Sequence, residues 1–153
     1  LKISRADQLN FGAIHLRCLH PQKGWEAEGT NSGSLVLYLT YDKFTMLFTG
    51  DLNGEQELLL EPDRGEESMP SVNILKVAHH GSKNSTTKSF LEEFQPQKAI
   101  ISAGKNNLYG HPHKETIKKL QKNGADIYGT LWGGAIIIES DGQKYKINYF
   151  KRG

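Results

Sequence analysis

Four polar clusters in the chain have residue types that suit metal chemistry. They are Asp51 in "FTGDL", the adjacent His79 and His80 in "LKVAHHGSKNST", the pair Asn106 and Asn107, and His111 with His113 in "NNLYGHPH". A carboxylate oxygen and several imidazoles brought together suit a divalent transition ion such as Zn²⁺ or Mn²⁺. Such an ion lowers the pKa of a bound water and supplies a nucleophile for hydrolysis. Each motif also has a plain structural use. Gly-Asp after a strand often makes a turn. His111 before Pro112 can shape a loop, and His113 can sit in the first turn of a surface helix. Adjacent histidines point in different directions, so one of His79 and His80 is expected as a direct ligand. The other then orients it or meets substrate. His15 and His20 read as structural.

These residues need elements that carry them to one place. "AIHLRCL", Ala13 to Leu19, alternates as a strand does. "SLVLYLTY" and "FTMLFTG" read as two strands joined at Asp42-Lys43 by a tight turn. Their almost continuous apolar character suits a sheet covered on both faces. A short helix is expected over "GEQELLLE", then an exposed loop "PDRGEESMP", then a strand from Ser71 to Ala78 that ends at the histidine pair. Ser85 or Thr86 is expected to cap a helix over "TKSFLEEF". "KAIISAG" is a further strand. Pro112 suits the first turn of a helix over "HKETIKKLQKN", and Gly124 its C-terminal cap. Three short strands follow, "DIYGT", "GAIIIES" and "QKYKINYF", with Asp141-Gly142 turning between the last two. All four clusters then fall at or just beyond strand ends, where sheet proteins commonly place their chemistry.

The chain has 153 residues, enough for one domain with a core of its own. Hydrophobic residues make up 37% and charged residues 24%, ordinary for a globular protein. No apolar run is long enough for a membrane helix. The net charge of +2 is too small to argue for nucleic acid by itself. The single cysteine, Cys18, excludes an internal disulfide framework and reads as a buried strand residue. "NST" at Asn84 reads as loop and cap chemistry. The chain starts at Leu1 in mid-pattern, which suggests a piece of something longer.

Taken in order, "NSGSLVLYLTYDKFTMLFTGDL", "LKVAHHGSKNST", "AIISAGKNNLYGHPH" and "GTLWGGAIII" resemble the metallo-β-lactamase-fold domain of the ComEC family, the DNA-uptake channel of naturally competent bacteria. The resemblance runs from about Asn10 to Tyr149. It implies an α+β fold, a mixed sheet with helices on one face, forming half of an αββα sandwich across residues 1–153. It implies that Asp51 bridges two metal ions, Zn or Mn, with His79 or His80 as a ligand. Asp51, His80 and His111 are then the reacting set. Ser82, Lys83, Asn107 and Tyr109 are expected at the substrate. Lys83, Lys105 and Lys114 could steer a polyanion, and Tyr109 or Trp132 could stack on bases.

The fold's principal metal motif, His-x-His-x-Asp-His, is absent. Only His111 and His113, among the six histidines, have the two-residue spacing, and no Asp-His follows them. "TNSGS" stands where many enzymes of the fold carry a further histidine, a feature shared with the ComEC-type pattern. The chain therefore reads as the C-terminal half of the domain. Metal binding by this piece is expected to be weak or absent, and its uncovered sheet face to promote self-association. The expected partners are the N-terminal half of the domain, the membrane-channel part of the parent chain, and DNA. The expected setting is a soluble, extracytoplasmic domain of a bacterial membrane protein. The resemblance favours a metal-dependent nuclease, inactive as this piece. The competing readings are a non-catalytic gating or scaffold domain and a hydrolase of small esters or phosphodiesters.

Overall fold

In the computed structural model, residues 2–27, 29–60 and 71–150 are described. The expected loop over 62–70 lies outside the described residues. Seven strands form one sheet: β1 (Gln8–Phe11), β2 (Ile14–His20), β3 (Val36–Tyr41), β4 (Phe44–Phe48), β5 (Ile74–Lys76), β6 (Lys98–Ile101) and β7 (Asp126–Gly129). Their order across the sheet is their order along the chain. Strands β1 to β4 pair antiparallel, β1–β2 and β3–β4 through tight turns and β2–β3 through the long loop over 21–35, and β4 to β7 pair parallel. Parallel neighbours need crossover connections. Helices α1 (Gly54–Glu57), α2 (Lys88–Phe94) and α3 (Lys114–Lys122) lie within those connections. The fold is thus α+β with a mixed sheet.

The helices cover one face. Phe90, Leu91 and Phe94 of α2 and Leu120 of α3 pack with Val36, Tyr38, Leu47, Leu75, Ala99 and Ile101 of the sheet. Each such side chain contributes about 1.5–3 kcal/mol when fully buried. The opposite face carries Phe44, Met46, Ile74 and Ile100. A separate hairpin, β8 (Ile136–Ser140) and β9 (Tyr145–Tyr149), lays Ile136, Ile138, Tyr145 and Ile147 over it. This corrects the expectation of an uncovered face: the chain supplies its own cover there. The hairpin is fastened at its turn, where Lys43 and Phe44 both donate backbone hydrogen bonds to the Gly142 carbonyl.

Several local boundaries differ from expectation. Strand β1 and helix α4 (Thr130–Gly133) were not anticipated. The strand expected over Ser71–Ala78 narrows to Ile74–Lys76. At its start, the Asn73 side chain accepts from the Thr45 amide at 2.8 Å, in place of a strand partner. At its end, the chain turns sharply over Ala78–Gly81, with non-helical backbone at His79 and His80. Helix α2 is capped by Thr87, whose hydroxyl accepts from the Phe90 amide, and not by Ser85 or Thr86. Pro112 precedes the α3 cap residue His113 instead of entering the first turn. Gly124 follows α3 at φ 84, the left-handed conformation expected just beyond a helix end. Cys18 is buried in β2, its thiol donating to the His20 carbonyl at 3.1 Å.

Candidate functional site

The site is built where β4, β5 and β6 end on one edge of the sheet. Asp51 follows β4 through Gly50. Its amide donates to the Ser34 hydroxyl at 3.2 Å. The Gly50 carbonyl accepts from the His79 amide at 3.0 Å, tying the end of β4 to the histidine turn. In that turn His79 (φ 45) and His80 (φ 55) are both left-handed, and Gly81 follows at φ 86. Left-handed conformation costs a non-glycine residue roughly 1–2 kcal/mol. Two in succession make a strained turn that surrounding contacts must hold. Gly81 has a second reason to lack a side chain: a Cβ there would lie 2.6 Å from Cβ of Pro112. That close approach brings the His111 loop against the histidine turn.

His80 and Asp51 meet directly, with His80 Nε2 3.7 Å from Asp51 Oδ2. Nδ1 of His80 donates to the Ser102 carbonyl at 2.6 Å. A carbonyl only accepts, so Nδ1 carries a proton and Nε2 is the nitrogen on the carboxylate side. His79 Nδ1 is 3.4 Å from the Asn31 side-chain amide nitrogen. The three imidazoles of His79, His80 and His111 cluster, with ring centres 5.5 Å (79–111), 6.2 Å (79–80) and 6.4 Å (80–111) apart. Burial lowers the pKa of His111. The neighbouring rings of His113, His79 and His80 lower it further, against an opposing pull from Asp51. Lys76, at the end of β5, also has a lowered pKa, chiefly from burial and partly offset by Asp51.

The loop after β6 closes the other side. Asn107 pins it: its side-chain nitrogen donates to the carbonyls of Gly104 (2.9 Å) and His111 (2.6 Å), and its oxygen accepts from the His111 amide (2.9 Å). Tyr109 stacks on His111 with ring centres 5.8 Å apart and remains largely exposed. His80, Ser102, Asn107, Tyr109, His111 and Thr130 line a cavity of about 520 Å³.

Asp51, His79, His80, His111, Asn107 and Tyr109 are therefore neighbours at one edge. Lys83 is exposed, and its amide donates to His113 Nδ1 at 3.2 Å. Ser82 is buried under the turn. Its carbonyl accepts from Thr116 and its hydroxyl from the Asn84 amide, so it braces the loop from beneath. Trp132 is 55% exposed on α4, outside the cavity lining. Residues not singled out from sequence also belong to the site: Ser102 through its carbonyl, Lys76, and Asn31 and Ser34 within the "TNSGS" stretch.

The pair Asp51 and His80 has the spacing of two ligands on one ion. Two ligands at about 2.1 Å in a tetrahedral arrangement are about 3.4 Å apart. No third member completes the set: among the described residues, no group of three or more His, Cys, Asp or Glu side chains is placed to hold a metal ion.

Fold and site together define an α+β domain with a carboxylate–imidazole pair at the strand ends of a mixed sheet. The proteins it is similar to are more particular. The chain is 37% identical over 139 residues to ComE operon protein 3 of Bacillus subtilis, covering 88% of this chain and 17% of that protein. It is 28% identical over 129 residues to Recombination protein 2 of Haemophilus influenzae, covering 84% and 16%. It is 31% identical over 106 residues to Competence protein ComA of Neisseria gonorrhoeae, covering 69% and 15%. The chain spans about a sixth of the length of these relatives. No family model matches it. Among the described residues, no helix is long and apolar enough to cross a membrane.

Proposed function

We propose that this chain contributes the Asp51–His80 part of a divalent-metal site that hydrolyses phosphodiester bonds of DNA during competence. The carrying observation is His80 itself. Its Nδ1 is committed to a backbone carbonyl, and its Nε2 faces Asp51 at ligand-to-ligand distance. The similarity to competence and recombination proteins supports DNA as substrate and a membrane-borne, ComEC-type parent. The order of the strand-end motifs supports a metallo-β-lactamase-type arrangement.

Asp51 and His80 would hold a Zn or Mn ion, with a group from another segment completing the set. Such an ion would supply Lewis-acid polarisation of a phosphoryl oxygen. The chain's own residues do the rest. Asn31 orients His79, and Ser102 orients His80. His111, held below its ordinary pKa by burial and the neighbouring imidazoles, can take a proton from an attacking water. Tyr109 offers a stacking face beside the cavity, and Lys83 and Lys105 offer positive charge.

The test is Asp51→Asn, with metal content and DNA hydrolysis read on the same preparation of the complete protein. Both should fall together, with hydrolysis at least about 100-fold down. Full activity would remove Asp51 from the mechanism.

A non-catalytic gating or scaffold role is the second reading. The observation favouring it is that no third ligand joins Asp51 and His80 among the described residues. Equal DNA-uptake efficiency in cells carrying wild-type protein or Asp51→Asn would support it.

A further inference from the structure

A second concavity, of about 500 Å³, is lined by Arg5, Arg17 and Lys23 together with Gln22 and buried Cys18. No carboxylate is among its described lining residues. The carboxylate of neighbouring Asp7 is turned back onto Ser4, accepting from its amide at 2.8 Å and its hydroxyl at 3.3 Å.

Two tight turns build the rim. Asp7 N–H donates to the Ser4 carbonyl at 3.0 Å, and Trp25 N–H donates to the Gln22 carbonyl at 3.0 Å. In each turn the third residue has positive φ, Ala6 at 74° and Gly24 at 78°, and the second residue is a cation, Arg5 or Lys23. Alanine in that conformation is strained. The strain is held by the Arg5 amide, which donates to the Pro21 carbonyl at 2.6 Å and clamps one turn to the other. One guanidinium nitrogen of Arg5 donates to the Leu59 carbonyl at 3.3 Å, which fixes the fork while its other N–H groups remain for a ligand.

The pocket is lined by residues at and just beyond the end of β2. Strands β2 and β4 run in the same direction, two places apart, so the end of β2 is roughly 10 Å from the end of β4. Trp25 packs edge-on against His20, His20 Nε2 donates to the Ser32 carbonyl at 2.7 Å, and the adjacent Asn31 reaches His79.

We propose that this pocket is a subsite for the phosphodiester backbone of a nucleic-acid strand, holding phosphates a few nucleotides from the group at the Asp51–His80 pair. It rests on the phosphodiester reading above for the identity of the strand; its charge and geometry stand apart from catalysis. A single phosphate fills only a small part of 500 Å³, whereas successive phosphates can be shared among cations set on separate turns. A bilayer surface is a poorer match. Membrane-surface binding needs a broad apolar area as well as charge; Phe11 is at the far end of the β1–β2 hairpin, and exposed Leu58, next to the Leu59 carbonyl that Arg5 reaches, is a single side chain and not an apolar surface.

The experiment is fluorescence anisotropy with labelled single-stranded oligonucleotides from 3 to about 12 nucleotides long, over a salt series, in EDTA. Hydrolysis is absent under these conditions, so failure of the catalytic reading leaves the measurement intact. Arg5→Ala with Lys23→Ala should weaken binding of the longer oligonucleotides roughly tenfold and flatten the salt slope by about 0.7 per cation removed. Lys23→Glu, on an exposed turn, provides a variant that keeps the fold and should weaken binding further than Lys23→Ala. Wild-type affinity and salt slope in Lys23→Glu would overturn the proposal. So would Arg5- and Lys23-dependent binding to phosphatidylglycerol vesicles without such dependence for oligonucleotides.

Discussion

His111 is the residue through which the site responds to acidity. Its folded pKa lies below the ordinary 6.5, because burial and three neighbouring imidazoles all oppose its charge. The unfolded chain therefore binds this proton more tightly. The stability linked to His111 is complete above pH 6.5 and is lost as pH falls through the lower folded value. His111→Asn should flatten the decline of melting temperature on the acid side, measured against wild type between pH 7.5 and 5. An equal decline in both would assign the acid sensitivity elsewhere. Ligand count sets the second expectation at this scale. With Asp51 and His80 paired and no third ligand placed among the described residues, calorimetric titration of this chain with Zn²⁺ or Mn²⁺ should show no tight two-ion binding. Submicromolar uptake of two ions would contradict it.

Among elements, the junction of α1 and α2 carries a buried charge with a clear task. Glu57 is 3% exposed and accepts from the amides of Thr86 (2.5 Å) and Thr87 (2.7 Å), just ahead of α2. Thr86 is β-branched and held at φ 54, a conformation such residues rarely adopt. The carboxylate compensates that strain and satisfies donors at the helix start. Glu57→Ala leaves two amides without acceptors and should cost about 2–5 kcal/mol in urea unfolding, while Glu57→Gln keeps part of this. At this scale the limits of the sequence are also visible. The apolar runs of β3, β4 and β6 and the helix α3, bracketed by Pro112 and Gly124, were legible, as were Asp51 and the histidine pair, because side chains declare them. Strand β1 was not: "QLNF" is a four-residue edge segment that stays mostly exposed, and its polar–apolar alternation is too short to mark a strand. Neither was the orientation of His80, which depends on a backbone carbonyl at Ser102, a group every residue type supplies equally. Ser85, Thr86 and Thr87 are chemically similar cap candidates, and only the strained backbone at Thr86 selects Thr87.

For the whole molecule, the β8–β9 hairpin decides whether the second sheet face meets water. Ile138 and Ile147 pair across the hairpin and pack on the cluster around Phe44 and Ile100. The double variant Ile138→Asp with Ile147→Asp should lift the hairpin, expose that cluster and drive concentration-dependent association, seen by light scattering. A monodisperse monomer at high concentration would show that the cover is dispensable. The strand order has a consequence in time as well as space. Each of the seven strands is paired with its neighbour in sequence, so the sheet can grow by adding the newest segment to the last one placed. The β1–β2 and β3–β4 hairpins close over short turns, whereas the crossovers into β5, β6 and β7 are long and close later at a larger entropic cost. During synthesis the sheet can assemble from β1 toward β7 as the chain emerges, while the β8–β9 hairpin arrives after the strands it shields. Until then the apolar face is bare, and the interval before those last residues appear is when the nascent chain is most open to aggregation.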